Sequence, residues 1–222
     1  PALRDNGLVG YWTFDEGIGT TAYDSSGKGN NGTWNGTGTH YATGRVGAYA
    51  GQMRSSTSDF VSVAHSLSVD NQSKVTITGW MKPTTWHHVT SLLGKGPEST
   101  VQHLWLGWWG SGNNKMGLEL GDSSGYNTLY GSSGLTWNDN TWYFVAATID
   151  ADAKKFAHYQ NGQLAGSGTY SGRIFNSGTY DISIGSYSST AGHNIDGLID
   201  DVRVYNRILS AEEIKIIFDT SK

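Results

Sequence analysis

The sequence predicts an all-β sandwich with one short helix at its C-terminal end, and three observations carry that expectation. Glycine is frequent, 31 of 222 residues, while proline is scarce at 3. That balance suits many tight turns between short strands better than a proline-rich linker. Apolar residues make up 36% and aromatics 12% of the chain, enough to build a core and too much for disorder. Only the stretch after Ser210 carries a clear helical period. The length is ordinary for a single β-sandwich, so one domain over residues 1–222 is expected.

In chain order, residues 7–16 read as a first strand ended by Gly17 and Gly19. The segment 23–34 that follows is glycine-rich and polar. Its Asp and Asn side chains and glycine-freed carbonyls have the chemistry to converge on a hard cation, although such a segment also makes plain turns. Residues 101–109 read as a strand in which Leu104, Leu106 and Trp108 share one face. His103, Trp105, Gly107 and Trp109 share the other. Asn161-Gly162 is a tight hairpin pair, tolerant of positive φ at both positions.

Near the end, residues 198–205 mix branched, aromatic and charged side chains in a strand pattern. Adjacent Asp200 and Asp201 on such a strand should send one carboxylate to each face. The one facing the core needs a cationic partner. Arg203 lies two positions from Asp201 and can serve it, which leaves Asp200 open to either a solvent-facing role or a calcium site. Ser210 and Glu213 then form a capping box. Ile214, Ile217 and Phe218 follow as a narrow apolar stripe that can lie on a sheet.

Composition excludes several classes. The formal net charge of −4 leaves no basic footprint for nucleic acid or an anionic membrane. There is no cysteine, so neither disulfides nor a thiolate metal site can form. No apolar run is long enough to insert in a membrane. The opening Pro1-Ala2-Leu3 rather than Met suggests a mature form or a module of a larger chain.

Three stretches together resemble the laminin-G-like domains of the concanavalin A-like lectin and glucanase superfamily. They are Gly-Leu-Val-Gly-Tyr-Trp-Thr-Phe-Asp-Glu at 7–16, Asp-Ser-Ser-Gly-Lys-Gly-Asn-Asn-Gly at 24–32, and Ile-Asp-Asp-Val-Arg-Val-Tyr-Asn-Arg-Ile-Leu-Ser-Ala-Glu-Glu-Ile at 199–214. Residues 75–83 and 140–150 are similar to the family's interior strands. The resemblance implies a two-sheet antiparallel jelly roll with first and last strands near each other. It also implies a structural calcium between the N-terminal loop and the last strand, at Asp24, Gly27, Asn31 and either Asp200 or Asp201.

The superfamily includes glycosidases and lyases, but the catalytic pattern of its glucanases is missing. Retaining hydrolysis needs two carboxyl groups about 5–5.5 Å apart. Glu119 has Gly121 and Ser123 at the offsets where a second acid would stand. Asp150 and Asp152 are spaced for a pair yet sit beside a turn. Gly121-Asp122-Ser123-Ser124-Gly125 matches a nucleophile elbow in letters only, since no helix pattern follows.

Tryptophan is the surplus, with nine. Trp12, Trp80 and Trp142 suit packing. The face of His103, Trp105 and Trp109 suits a sugar platform, with Trp86, His87, Tyr126 and Trp137 as a rim. The expected function is therefore a non-catalytic carbohydrate- or glycan-binding module with structural calcium, in a secreted or cell-surface protein. The alternatives are an adhesion or structural module that binds protein, such as other surface proteins, or nothing specific, and a divergent polysaccharide lyase or glycoside hydrolase.

Overall fold

The computed structural model describes residues 6–66, 72–86, 89–96, 104–109, 115–122, 125–130, 135–170, 180–187 and 194–221. The chain opens with β1 (Leu8–Trp12), β2 (Thr21–Ala22), β3 (Gly32–Asn35), β4 (Tyr41–Thr43), β5 (Tyr49–Met53) and β6 (Phe60–Val63). Its middle is β7 (Lys74–Pro83), β8 (Val89–Lys95), β9 (Leu104–Trp109), β10 (Lys115–Asp122) and β11 (Gly125–Tyr130). It closes with β12 (Tyr143–Asp150), β13 (Lys155–Gln160), β14 (Gln163–Thr169), β15 (Ile182–Ile184), β16 (Gly197–Tyr205) and α1 (Ala211–Thr220).

These strands make two eight-stranded antiparallel sheets. The first runs β14-β13-β12-β7-β16-β5-β4, with β1 also on β16, and the second runs β11-β10-β9-β8-β15-β6-β3-β2. The expected two-sheet sandwich and single C-terminal helix are what the described residues show. The first and last strands pair, from Leu8 opposite Tyr205 to Trp12 opposite Val202. Alternation explains the core. Val75, Ile77 and Met81 of β7 and Val145, Ala147 and Ile149 of β12 face Leu93, Leu104, Leu106 and Leu118 of the other sheet.

The opposite face of the first sheet carries α1. Ser210 and Glu213 form the predicted capping box, which satisfies two end N–H groups. Ile214 and Ile217 are buried against Trp80 and Phe144, with Phe218 packed beside them. The Asn161-Gly162 turn has φ of 50° and 75°, as an Asn-Gly hairpin requires. Its Asn161 Oδ1 accepts the Phe144 N–H at 3.0 Å.

Candidate functional site

Strand β16 changes partners halfway along one edge. Gly197 to Ile199 pair with β5, whereas Val202 to Tyr205 pair with β1. At the changeover the register slips between Asp200 and Arg203, and Asp201 takes φ 55°. This is a bulge. It corrects the expectation that the two carboxylates face opposite ways. Ile199 and Val202 both point into the core, and both aspartates between them turn to the other side.

There Asp201 is matched. Arg203 Nη1 lies 2.7 Å from its Oδ2, and the Tyr11 hydroxyl donates to its Oδ1 at 2.5 Å. Burial of that phenol pushes its pKa above the usual range. Asp200 Oδ2 accepts the Arg45 and Val46 N–H groups at 2.8 and 2.9 Å. Its Oδ1 is buried with no hydrogen-bond donor. Burial, with Asp201 and Asp15 adding negative charge, pushes the Asp200 pKa up to about 7 against the pull of the two N–H donors.

The N-terminal half of the expected calcium site is a self-contained turn. Asp24 Oδ1 accepts from Tyr11 N and Ser26 N, and Oδ2 accepts from Ser26 Oγ and Asn30 N, all within 3.0 Å. Asn31 Oδ1 accepts the Asp24 N–H at 2.9 Å, and Gly27 stands in open space at φ 78°. Tyr11 joins loop to strand, with its backbone N–H on Asp24 and its hydroxyl on Asp201. Among the described residues no group of three or more His, Asp or Glu side chains is placed to hold a metal. As a donor set Asp24, Gly27, Asn31 and Asp201 fit calcium poorly, because the Asp24 carboxylate takes four hydrogen bonds and Asp201 is ion-paired with Arg203. Asp200 fits better. The sequence reading passed over Asp15, whose Oδ1 accepts Ala48 N and Tyr49 N at 2.7 and 3.0 Å. Asp15 and Asp200 thus hold the two halves of one loop, residues 45–49.

The tryptophan face also needs correction. Leu104, Leu106 and Trp108 are buried as expected, but Trp105 is buried too, at 0% exposure. Its indole fills the gap at Gly107 itself, since a Cβ there would lie 2.5 Å from Trp105 Cζ2. It also crosses Gly117, and its Nε1 donates to Ser91 Oγ at 2.8 Å. The segment after β15 folds back over this face, bringing the Tyr187 carbonyl within 2.1 Å of a Cβ built at Gly94. Tyr187 covers Trp105 and donates its hydroxyl to Glu119. A ring so covered offers no platform. His87 and His103 lie outside the described residues, and so do the side chains of Trp109 and Tyr126.

The two remaining rim residues do come together. Trp86 and Trp137 rings are 4.7 Å apart, with Trp108 5.4 Å from Trp86 and Tyr143 4.9 Å from Trp137. Both rim residues are half-buried. Trp86 N donates to Asp139 Oδ1, and its Nε1 donates to Asn138 O, each at 3.1 Å. Segments 84–86 and 137–140 are therefore braced against each other.

The same two segments wall a cavity of about 530 Å³ on the outer face of the first sheet. Its floor is a cross-strand row, Gln52, Leu198 and Lys82, in which Leu198 lies opposite both neighbours. Arg54, Ser56, Thr84, Thr85, Asn140 and Asp196 supply the polar part of the lining around it, and Ala42 also lines it. Thr84 N donates to Asp196 O at 2.7 Å and Asn140 N to Pro83 O at 2.8 Å, so the wall is fixed by backbone bonds. No sequence motif announces this site. Its residues come from five separate stretches that only the sheet order joins.

The candidate acids are engaged elsewhere. Asp150 accepts the Ala153 N–H in a turn, and Asp152 accepts from Ser73 Oγ. Both lie near Lys74, at 3.9 and 3.8 Å. β10 and β11 pair antiparallel up to Asp122 opposite Gly125, and Ser123 of the elbow-like stretch lies outside the described residues.

Paired first and last strands and two eight-stranded antiparallel sheets define a jelly-roll β-sandwich. A laminin G family model of the concanavalin A-like lectin/glucanases superfamily matches residues 55–215, and the chain belongs to that family. No curated protein sequence matches it. Among solved structures it is similar to domain 4 of AbnA, a GH43 extracellular arabinanase from Geobacillus stearothermophilus, in complex with arabinotriose. There the TM-score is 0.74 and the identity 22%, over 96% of this chain and 99% of that one. It is also similar to the binding domain of botulinum neurotoxin DC in complex with rat synaptotagmin II, with TM-score 0.74 and 13% identity over 99% of this chain and 53% of that one. A third is a botulinum neurotoxin type C structure, whose cell entry depends on two ganglioside molecules, with TM-score 0.71 and 14% identity over 98% and 52%. The chain thus spans about half the length of those toxin structures, and these likenesses establish the fold.

Proposed function

We propose that this chain is a non-catalytic carbohydrate-binding module of a secreted or cell-surface protein. The observation that carries the reading is the cavity of about 530 Å³. Side-chain amides of Gln52 and Asn140 and hydroxyls of Ser56, Thr84 and Thr85 converge there beside the apolar Leu198. Pyranose and furanose rings present that mixture, hydroxyl edges around an apolar face, and pockets of this size suit small ligands. The domain of the same fold that holds arabinotriose supports it, and so does the likeness to half of a toxin chain whose cell entry depends on gangliosides. The absence of a helix long and apolar enough to cross a membrane among the described residues is consistent with a module displayed outside the cell. A structural calcium remains part of the proposal, now at Asp200 and Asp15, because Asp200 keeps one buried carboxylate oxygen without a donor.

Titration calorimetry against a panel of soluble polysaccharides and their oligosaccharides tests the reading. Saturable binding to at least one of them is expected. Asn140→Ala should weaken it, and Ala42→Trp, which fills the cavity, should abolish it while melting stays near that of the wild type. No binding across the panel, or binding indifferent to Ala42→Trp, rejects the cavity as a sugar site. Release of new reducing ends from the same polysaccharides would instead favour a hydrolase or lyase.

A further inference from the structure

We infer that the cavity selects saccharides carrying an anionic substituent, a carboxylate or a sulfate, and that Lys82 is the residue that reads it. The inference rests on the carbohydrate-binding reading and sharpens it. Three charged side chains line the cavity: Arg54, Lys82 and Asp196. Asp196 is spent on the wall, its Oδ1 accepting Ser55 N and its Oδ2 accepting Ser55 Oγ, each at 2.7 Å. Arg54 is partly spent. Its Nη1 donates to Thr39 O at 3.0 Å and stands 3.6 Å from Asp59 Oδ2. Asp59 itself is fully buried and receives Gly38 N and Thr57 Oγ1.

Lys82 differs from both. It is half-buried on the floor, directly opposite Leu198, and no acidic group pairs with it among the described residues. An ammonium held at a cavity floor without a counter-ion lacks part of its electrostatic compensation, which an anionic ligand would supply. The protein as a whole carries more acid than base, with 19 acidic to 15 basic residues. A cationic floor is therefore a local feature and not a by-product of overall charge. The compact, well-hydrated ammonium also suits a single carboxylate or sulfate among sugar hydroxyls, while the guanidinium of Arg54 stays committed to the wall.

The test compares matched oligomers. Oligogalacturonate is set against its methyl-esterified form, and a sulfated galactan oligomer against its desulfated form. Each is titrated into the wild type, Lys82→Gln and Lys82→Arg at low and high salt. At least one charged oligomer should bind about tenfold more tightly than its neutral counterpart, as one charge-assisted hydrogen bond provides. Whichever pair shows the difference identifies the group. Lys82→Gln should erase that preference, so that charged and neutral oligomers bind at the same level. Lys82→Arg should restore part of it, and salt should weaken only the charged arm. Charged and neutral oligomers binding equally, or a preference that survives Lys82→Gln, overturns the inference and leaves the carbohydrate reading intact. Failure of all four oligomers, together with the whole polysaccharide panel, removes both.

Discussion

The indole of Trp105 lies under the phenol of Tyr187, ring centroids 5.5 Å apart, on the face of β9 turned away from the core. This small satellite cluster seals a sheet face that would otherwise expose an aromatic row. Trp105→Ala should therefore act on stability, costing roughly 3–5 kcal/mol as expected for a buried large-to-small change. Under conditions where the variant is still folded, glycan affinity at the cavity should be unchanged. Urea unfolding and calorimetry on the same samples check this. A variant of wild-type stability that no longer binds sugar would restore Trp105 as a platform.

Asp200 and Asp24 make separable predictions about calcium. If Asp200 and Asp15 hold the ion, calcium should raise the melting temperature of the wild type. The gain should reach about 2.7 kcal/mol at a hundredfold excess over Kd. Asp200→Asn should abolish that gain. Asp24→Ala should lower stability through its four lost hydrogen bonds yet keep the gain. An unchanged melting temperature after chelation would show that there is no calcium site at this edge.

His158 predicts an acid-side loss of stability. It sits in the core on β13, and burial lowers its pKa from 6.5 to about 4 with only partial opposition from the Leu129 backbone. The unfolded chain then takes up this proton first as pH falls below about 6.5. The stability of the neutral imidazole is lost between pH 6.5 and 4, amounting to about 3 kcal/mol. Denaturant midpoints measured from pH 7 to 4.5 should fall in the wild type. They should fall less in His158→Gln, and parallel curves would show that other groups control the acid limb.

The closing helix should respond in a graded way. Ser210→Ala removes a cap and should cost about 1 kcal/mol. Ile214→Ala opens space under Trp80 and Phe144 and should cost roughly 2–5 kcal/mol. Phe218→Ala should fall below the usual range for aromatic truncation, because Phe218 is only partly buried. Thermal melts of the three variants would rank them. Equal, small effects would mean that the helix is not docked.

Much of this protein was legible before any coordinates. The strand pattern of residues 198–205, the Ser210–Glu213 box and the Asn161-Gly162 turn are local signals, residues 75–83 and 140–150 carry the family resemblance, and each produced the expected element. Local pattern also placed Leu104 and Leu106 in the core and assigned Arg203 to Asp201. It failed where a strand meets partners far away in sequence. Only the changeover of β16 from β5 to β1 creates the bulge that turns Asp200 and Asp201 to one face. Only the return of the chain through Tyr187 decides that Trp105 is covered. The cavity arises because Gln52, Leu198 and Lys82 become neighbours across three strands drawn from distant parts of the chain. Side-chain alternation is a property of one strand and can be read from its residues. Burial and convergence depend on which strands lie side by side and in what register, and those are set by the free energy of the whole packed sandwich.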